Sequence, residues 1–446
     1  MPKLIQVQEH ELIPLEISLP VWQEGMRLPA QSEGLDRWFF RWQWGAAFPV
    51  NSSDEEYSGE GYYASYVIGA QWIDSTPLVI TPKGGCDKID YLKMLATCLN
   101  SGIESKELSK IYGVDLEQPR IEAPELNSVL SPLIIVHFIS LVRKIIKRGL
   151  KKSYVSRESN LKKVRGRIAI SQNEYYNVMR KRCERLYCKY QEYSADTPEN
   201  RLIKKALLFS RQIIAQIAQE NKSLHALHHA INQCISAFCD VSDQIEVWEI
   251  KSMKRHKLFR GYEEAVQIAQ MILRWCDYSI TSIRPAAESP CPVFWLDMSL
   301  LYEHYVLGLL REAYGEKIKY QAKGYTGYPD FICYDPKLVM DTKYIPRFQQ
   351  GGIDIAIARQ LAGYARDRKL FRLPASEVIP CIVIYPKEGE AQNPFKDKSL
   401  EELLAEDEDG HLLGFYRIAV PLPTLNEPET NLSPSFTYFS QDKRDS

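Results

Sequence analysis

The sequence predicts a multidomain α+β protein: a β-rich N-terminal domain over 1–122, a helical middle region over 123–284, and a C-terminal α/β domain with a central mixed sheet over 285–390. Three observations carry this reading. Large side chains alternate with period two early in the chain, and apolar residues recur at helical spacing in the middle. After a boundary punctuated by Pro285, Pro290 and Pro292, helix-like and strand-like segments alternate. The final stretch, 391–446, is acidic and then rich in Pro, Ser and Asn, and reads as a polar extension. At 446 residues, 45% hydrophobic and 25% charged, the chain can bury real cores, which excludes fibrous and globally disordered classes.

The clearest early strand is 36–45, where Trp38, Phe40, Trp42 and Trp44 point one way and Arg37, Phe39, Arg41 and Gln43 the other. An aromatic face of this kind could stack nucleobases. A half-buried strand explains it more simply. Further strands are expected over 62–72 and 77–81, then a turn at Pro82, Gly84 and Gly85, then a helix over 88–100. In the middle region Thr197-Pro198-Glu199 opens a helix, because a hydroxyl caps the first turn and proline sits where its missing N–H costs nothing. Ile203, Ala206, Leu207, Ile213, Ile214 and Ile217 follow as its packing stripe. The longest uncharged apolar run, 129–142, has 14 residues, whereas a membrane span takes about 20, so it reads as a buried helix. The first 17 residues carry Glu9, Glu11 and Glu16 and lack the order of a signal peptide, so a cytoplasmic location is expected.

The ten cysteines are then most simply reduced core side chains. Cys183 with Cys188, and Cys234 with Cys239, are separated by four residues rather than the two of a zinc knuckle; His225, His228 and His229 lie near the second pair. In the C-terminal domain the expected order is helix 295–314, strands 318–322, 329–334 and 338–345, helix 353–366 and strand 378–385.

The net charge of −1 hides an asymmetry: residues 141–190 hold sixteen Lys or Arg against three Glu, while residues 401–446 hold ten acidic residues against three basic ones. A local excess of this size suits a polyanion, because each phosphate contact releases condensed counterions. A solvated helix face explains it equally well.

The chemistry concentrates in the C-terminal domain. Tyr328-Pro329-Asp330 is followed, after nine intervening residues, by Met340-Asp341-Thr342-Lys343. On a strand, positions 341 and 343 project from one face, which sets a carboxylate beside an ammonium. Asp330, on the neighbouring strand, can reach the same place. Two carboxylates suit Mg²⁺, a hard cation that keeps waters for a substrate phosphate, and an adjacent lysine can orient or deprotonate a water and stabilise anionic charge. Glu303 lies on the apolar stripe of the preceding helix, where an unpaired carboxylate is costly. Gln360 and Tyr364 stand one turn apart on the following helix.

A helix glutamate, Pro-Asp, Asp-x-Lys and Gln-x-x-x-Tyr in this order resemble the PD-(D/E)xK nuclease superfamily. More narrowly, Gly69, Ile80-Thr81-Pro82-Lys83, Arg148-Gly149-Leu150, Tyr154, Leu161, Val164-Arg165-Gly166-Arg167-Ile168 and the run from Asp196-Thr197-Pro198-Glu199-Asn200-Arg201 to Lys204 resemble the McrC family. Members of that family are the nuclease subunits of McrBC modification-dependent restriction systems. The resemblance covers about 60–385. It implies a restriction-endonuclease-like fold for 285–390, with Asp330, Asp341, Lys343, Glu303 and Gln360 as catalytic residues. Asp330, Asp341 and Glu303 would hold Mg²⁺, with Mn²⁺ expected to substitute. It also implies an N-terminal part that docks onto an oligomeric AAA+ GTPase of the McrB type and stimulates it, methylated DNA as substrate, and no membrane. The chain has no Gly-x-x-x-x-Gly-Lys loop of its own for nucleotide.

The reading is therefore a Mg²⁺-dependent DNA endonuclease subunit of a defence system. Lys151, Lys152, Lys162, Lys163, Arg165 and Arg167 are assigned to a DNA backbone path or to the partner's surface. The rival, from another class, is a catalytically silent nuclease-fold adaptor that assembles and activates the NTPase ring. A free-standing nuclease on RNA or branched DNA is a third reading.

Overall fold

The computed structural model describes residues 4–14, 25–27, 38–44, 60–82, 89–100, 110–115, 117–123, 126–217, 224–245, 261–281, 290–344, 353–371, 378–387, 392–405 and 411–424. The predicted turn glycines Gly84 and Gly85, the boundary residue Pro285 and the end of the chain beyond 424 lie outside these residues.

The N-terminal part is β-rich, as expected. Strands β1 (Ile5–Gln8), β2 (Gly25–Arg27), β3 (Trp38–Trp44), β4 (Glu60–Ala64), β5 (Val67–Ile73) and β6 (Thr76–Thr81) precede α1 (Tyr91–Asn100) and β7 (Tyr112–Asp115). The segment read as one strand over 62–72 is two, β4 and β5, in different sheets. β2, β3 and β4 form an antiparallel sheet in which Phe39 and Phe40, on opposite faces of β3, are both buried. Tyr62 meets Phe40 and Trp42 edge-on, with ring centroids 5.7 and 4.9 Å apart. Phe40 is thus core rather than a stacking platform.

The main N-terminal sheet has the order β1-β6-β5-β11-β7, and its β11 (Val293–Asp297) comes from late in the chain. Residues 295–297 read as the start of a helix in sequence. They are instead a wholly buried strand, and the helix, α7, begins at Met298. A short apolar run without alternation cannot be told from buried helix by periodicity; pairing on both edges, with β5 and β7, decides it here. Gly69 permits the close approach. At φ +146°, a Cβ there would lie 2.2 Å from the Phe294 carbonyl oxygen.

The middle region contains the expected helices: α2 (Asn127–Arg148), α4 (Pro198–Ile217), α5 (Leu224–Ala237) and α6 (Tyr262–Thr281). The run at 129–142 is inside α2, with Leu133, Val136, Phe138 and Ile139 buried. Among the described residues no helix is long and apolar enough to cross a membrane. The region is not helical throughout, however. β8 (Ser153–Leu161) and β10 (Leu186–Ser194) pair antiparallel in unbroken register from Ser153↔Ser194 to Leu161↔Leu186, and β9 (Arg167–Ile168) adds to β10. Nine residues at about 3.4 Å each make an arm about 30 Å long. Between β9 and β10 lies the short helix α3 (Ile170–Asn173), which runs on as a π-helical turn over Glu174–Val178. Sequence reading missed the arm because the less exposed face of β8 carries Ser153, Arg157 and Ser159 beside Val155 and Leu161, so its alternation in exposure has no matching alternation in hydrophobicity.

The arm is fastened at its base by the Thr197-Pro198-Glu199-Asn200-Arg201 segment. Asp196 accepts from Arg201 Nε (2.8 Å) and Nη2 (2.7 Å), from Arg157 Nη2 on β8 (3.3 Å) and from Ser242 N (2.9 Å). Asn200 donates to Lys151 O and Ala195 O at 2.9 and 2.6 Å, and Tyr262 donates to Asn200 Oδ1 at 2.9 Å.

The C-terminal sheet has the order β12-β13-β14-β15-β16: β12 (Ile318–Tyr320), β13 (Phe331–Tyr334), β14 (Lys337–Thr342), β15 (Cys381–Lys387) and β16 (Phe415–Pro421). β12 to β14 are antiparallel and β14 to β16 parallel, a mixed sheet as expected. α7 (Met298–Tyr314) packs with Phe331, Cys333, Leu338 and Met340 on one face. α8 (Ile355–Ala365) packs Leu361 and Tyr364 with Ile332, Val339 and Val383 on the other. β16 and the ordered turn around Phe395 fall in the span assigned to an acidic extension, and so correct that expectation. The charge count over 401–446 conceals the apolar segment Phe415–Pro421, which completes the sheet by pairing along β15.

Candidate active site

The antiparallel register of β13 and β14 ends with Phe331 opposite Met340, which brings Asp330 to Asp341 at the strand ends. Asp330 Oδ2 accepts from the backbone N of Thr342 (2.7 Å) and from its Oγ1 (2.6 Å). Both bonds fall on one oxygen, and Oδ1 accepts none among the described residues. Asp341 is buried in β14 and forms an ion pair with Lys343. The lysine is itself set by its backbone N, which donates to Ile384 O of β15 at 2.9 Å.

Glu303, on α7, enters from the side. Its Oε1 accepts from Gln321 Nε2 at 3.1 Å. Burial pushes its carboxyl up to about 7, with hydrogen bonds from Tyr320 and Gln321 opposing and the Asp341 and Asp297 charges adding to the rise. Burial, and then the Glu303 and Asp341 charges, push Asp330 well above the usual carboxylate range. Asp341 is raised by burial and pulled back by Lys343. Burial opposes the charge on Lys343, but the Asp341 and Asp330 carboxylates outweigh it and raise the ammonium above its ordinary value. Three carboxylates that repel one another in a desolvated place, with one lysine among them, are a charge distribution that a further cation would relax.

The sequence brought four of its five catalytic candidates together here. Gln360 is more remote: it donates from Nε2 to Tyr364 OH at 3.0 Å. Thr342, Tyr320, Gln321 and Asp367 were not picked out. Thr342 is the variable position of Asp-x-Lys, and nothing local marks it. Asp367, just past α8, accepts from Tyr325 N (2.5 Å), Thr326 N (2.8 Å) and Thr326 Oγ1 (2.9 Å), and so holds the loop that leads into Pro329-Asp330.

The six basic candidates lie elsewhere, on the arm and its base. Lys151 pairs with Glu199 (2.6 Å), Arg165 stacks over Tyr190 (4.2 Å to the ring centroid), and Lys162, Lys163 and Arg167 are exposed around the turn between β8 and β9, as is Lys152 at the base. Their sheet is separate from the one that carries Asp341.

Among the described residues no three His, Cys, Asp or Glu side chains are grouped so as to hold a metal ion. Mg²⁺ asks for less, one or two carboxylates with waters and substrate phosphate completing its shell. The hard oxygens of Asp330 and Asp341, one of them with Oδ1 open, fit that requirement. The zinc spacing gains no support: His228 and His229 bond to Asn232 and Gln233, Cys188 and Cys234 are buried, Cys183 and Cys239 are exposed, and the side chain of His225 lies outside the described residues.

No curated protein matches the chain. Two solved assemblies from Thermococcus gammatolerans contain chains similar to it. One is a refined half-complex of a tetradecameric assembly of McrB AAA+ hexamers with bound McrC, at 14% identity and TM-score 0.34, covering 85% of this chain and 86% of that one. The other is the McrBC complex determined by cryo-EM, at 15% identity and TM-score 0.28, covering 59% of this chain and 74% of that one. A family model described as McrBC 5-methylcytosine restriction system component matches residues 66–352, a span that runs from β5 through the arm to Asp330, Asp341 and Lys343. That match covers well over half of the sequence, and by it the chain belongs to the McrBC 5-methylcytosine restriction system component family.

Proposed function

We propose that this chain is the DNA-cutting subunit of a McrBC-like restriction system, a Mg²⁺-dependent endonuclease of the PD-(D/E)xK type that works in complex with an AAA+ GTPase ring and stimulates its hydrolysis. The observation that carries the proposal is the convergence of Asp330, the buried Asp341, the partly buried Lys343 and Glu303 of α7 beside the ends of β13 and β14. A purely structural Asp341–Lys343 pair would need no further carboxylates beside it.

Asp330 and Asp341 would hold Mg²⁺, with Glu303 close enough to assist. When bound, the ion polarises the phosphate and lowers the pKa of a water. Thr342 fixes the Asp330 carboxylate so that one oxygen stays available. Lys343, whose ammonium form the Asp341 and Asp330 carboxylates favour, offers positive charge to the phosphate oxygens. Glu303, titrating near neutrality, can take up a proton from an attacking water. Gln360, bonded to Tyr364 on α8, would act from outside this group, on the bound phosphate backbone.

The arm supports partner docking. Ile170, Tyr175, Val178 and Met179 are exposed along α3 and the turn after it. Four exposed apolar side chains within ten residues suit a protein surface better than a phosphate backbone. Membership in a family of McrBC restriction components accords with such a partner.

The test is cleavage of methylated and unmethylated plasmid by the chain reconstituted with its AAA+ partner, Mg²⁺ and GTP. The expected result is cutting that needs partner and nucleotide and disappears in Asp341→Ala while hydrolysis of nucleotide persists. Stimulated hydrolysis without cutting by the wild-type chain would establish the silent adaptor instead.

A further inference from the structure

Just past the C-terminal end of α8 the chain turns as Arg368-Lys369-Leu370-Phe371 and, with Tyr334 and Lys337 of the β13–β14 hairpin, lines an open cavity of about 570 Å³. Three of its six lining residues are cationic. Among the described residues no carboxylate pairs with Arg368 or Lys369. The nearest acid in the chain, Asp367, has its carboxylate turned to the amides of Tyr325, Thr326 and Lys369. Asp335, in the hairpin turn, is the other acidic neighbour in sequence.

Aromatic rings flank the charges. Tyr334 is half exposed and meets Phe371 edge-on, with centroids 6.0 Å apart. Lys369 Nζ stands 5.4 Å from the centroid of Tyr325, whose ring is 81% exposed. Tyr325 belongs to the loop clamped by Asp367, and Tyr328, also exposed, is two residues before Asp330. Lys337, Val339 and Asp341 alternate along β14 on the face that α8 covers. Four residues at about 3.3 Å each put Lys337 roughly 13 Å from Asp341 along the strand.

A merely solvated charge patch has no need of an exposed tyrosine, its backbone clamped by Asp367, beside a lysine. A dry protein interface would not set Arg368 and Lys369 side by side without matching acids. Cations alternating with exposed rings beside a phosphodiester-cutting centre are what a nucleic-acid strand requires, since phosphates meet the charges and bases stack on the rings. We propose that this cavity, with the Tyr325 loop, is a subsite that grips the DNA strand to one side of the scissile phosphate. The inference rests on the nuclease reading above. It assigns DNA binding near the centre to Lys337, Arg368, Lys369, Tyr325 and Tyr334, rather than to the arm alone.

The experiment uses the full chain with its AAA+ partner. DNA binding is measured by fluorescence anisotropy on a labelled duplex with Ca²⁺ in place of Mg²⁺, over a series of salt concentrations, and cutting is measured separately with Mg²⁺. Arg368→Ala with Lys369→Ala should lower the slope of log K against log salt by about two, one for each phosphate no longer neutralised. Tyr325→Ala should weaken binding about tenfold, and Tyr325→Phe should retain the affinity, since stacking needs the ring and not the hydroxyl. Both charge substitutions are at exposed positions, and matched thermal melts control for folding. An unchanged slope with normal cutting, while Asp341→Ala still abolishes cutting, would overturn the subsite and leave the nuclease reading intact. An unchanged slope with weakened NTPase stimulation would show a protein-binding patch and equally overturn it. Cutting that survives Asp341→Ala would remove the reading on which both rest.

Discussion

Thr342→Val tests the centre at the point where the sequence was silent. Valine keeps the shape of threonine and its preference for a strand. What it removes is the hydroxyl that donates to Asp330 Oδ2 at 2.6 Å, while the backbone N at 2.7 Å is untouched. A hydrogen bond to a carboxylate contributes about 1.5–3 kcal/mol, and because one of the two donors remains, the lower end applies. That amounts to about a tenfold loss of whatever depends on the orientation of Asp330, at the low end of the 10–100-fold typical for groups that orient a metal ligand. The assay is single-turnover plasmid cleavage by the reconstituted complex across a Mg²⁺ titration, with nucleotide saturating. The expected outcome is a Mg²⁺ midpoint raised about tenfold in Thr342→Val and restored in Thr342→Ser, with stimulated NTPase activity unchanged. A Val variant with the wild-type midpoint would refute the claim that Asp330 is a ligand held by Thr342. Equal loss in Ser and Val would mean that packing, and not the hydroxyl, matters.

Other expectations concern separate parts of the molecule. Lys343→Met should abolish cutting while preserving DNA affinity within a few fold, because the lysine is assigned to transition-state charge and not to binding; a residual rate near wild type would exclude that role. Asp196→Ala removes the acceptor shared by Arg201, Arg157 and Ser242 and should cost about 2–3 kcal/mol in denaturant unfolding, less than a fully buried pair because both guanidinium groups can rehydrate. Hydrogen bonds from Arg201 hold Asp196 below the usual carboxylate range, so its contribution is present above about pH 4 and fades as pH falls through its lowered value. Acid unfolding of the wild type should therefore steepen below about pH 4 relative to Asp196→Asn, and parallel curves would contradict the assignment. Gly69→Ala should destabilise by at least about 2 kcal/mol, read as loss of soluble protein or a lowered midpoint, because no rotamer relieves a Cβ 2.2 Å from a carbonyl oxygen.

What could be read from the sequence was what is local in the chain. Asp341 and Lys343 are two apart on a strand, so their pairing follows from the period of the strand alone, and the structure has it. The same holds for Gln360 and Tyr364, one turn apart and joined by a hydrogen bond. Contacts between distant segments had no such signature. The clamp by Asp367 spans some forty residues of chain to Thr326, and the role of Thr342 depends on β13 lying beside β14. Elements whose burial departs from the simple patterns were missed for a related reason. β11 is buried on both faces and mimicked the start of a helix, while β8 has only a partly buried, largely polar inner face and mimicked nothing. β16 was hidden by averaging charge over a window longer than a strand.

The placement of β11 also bears on how the centre is held. This strand lies in the N-terminal sheet, bonded to β5 and β7, and its last residue, Asp297, caps α7 by accepting from Leu300 N at 2.9 Å. Met298 N donates to Tyr66 O at 3.0 Å, which ties the helix start to the same sheet. Glu303 comes six residues after Asp297, about 9 Å along the helix at 1.5 Å per residue. A glutamate of the candidate centre is thus carried on an element whose origin is fixed in the N-terminal sheet, while Asp330 and Asp341 belong to the C-terminal one. The relative placement of the two sheets therefore sets the distance from Glu303 to the other two carboxylates. α7 is not the sole link, since Asp90 N also donates to Pro423 O at 2.7 Å and one buried core runs from the N-terminal sheet to the C-terminal one, so displacement between the two sheets would pass through stiff packing where a loop would absorb it.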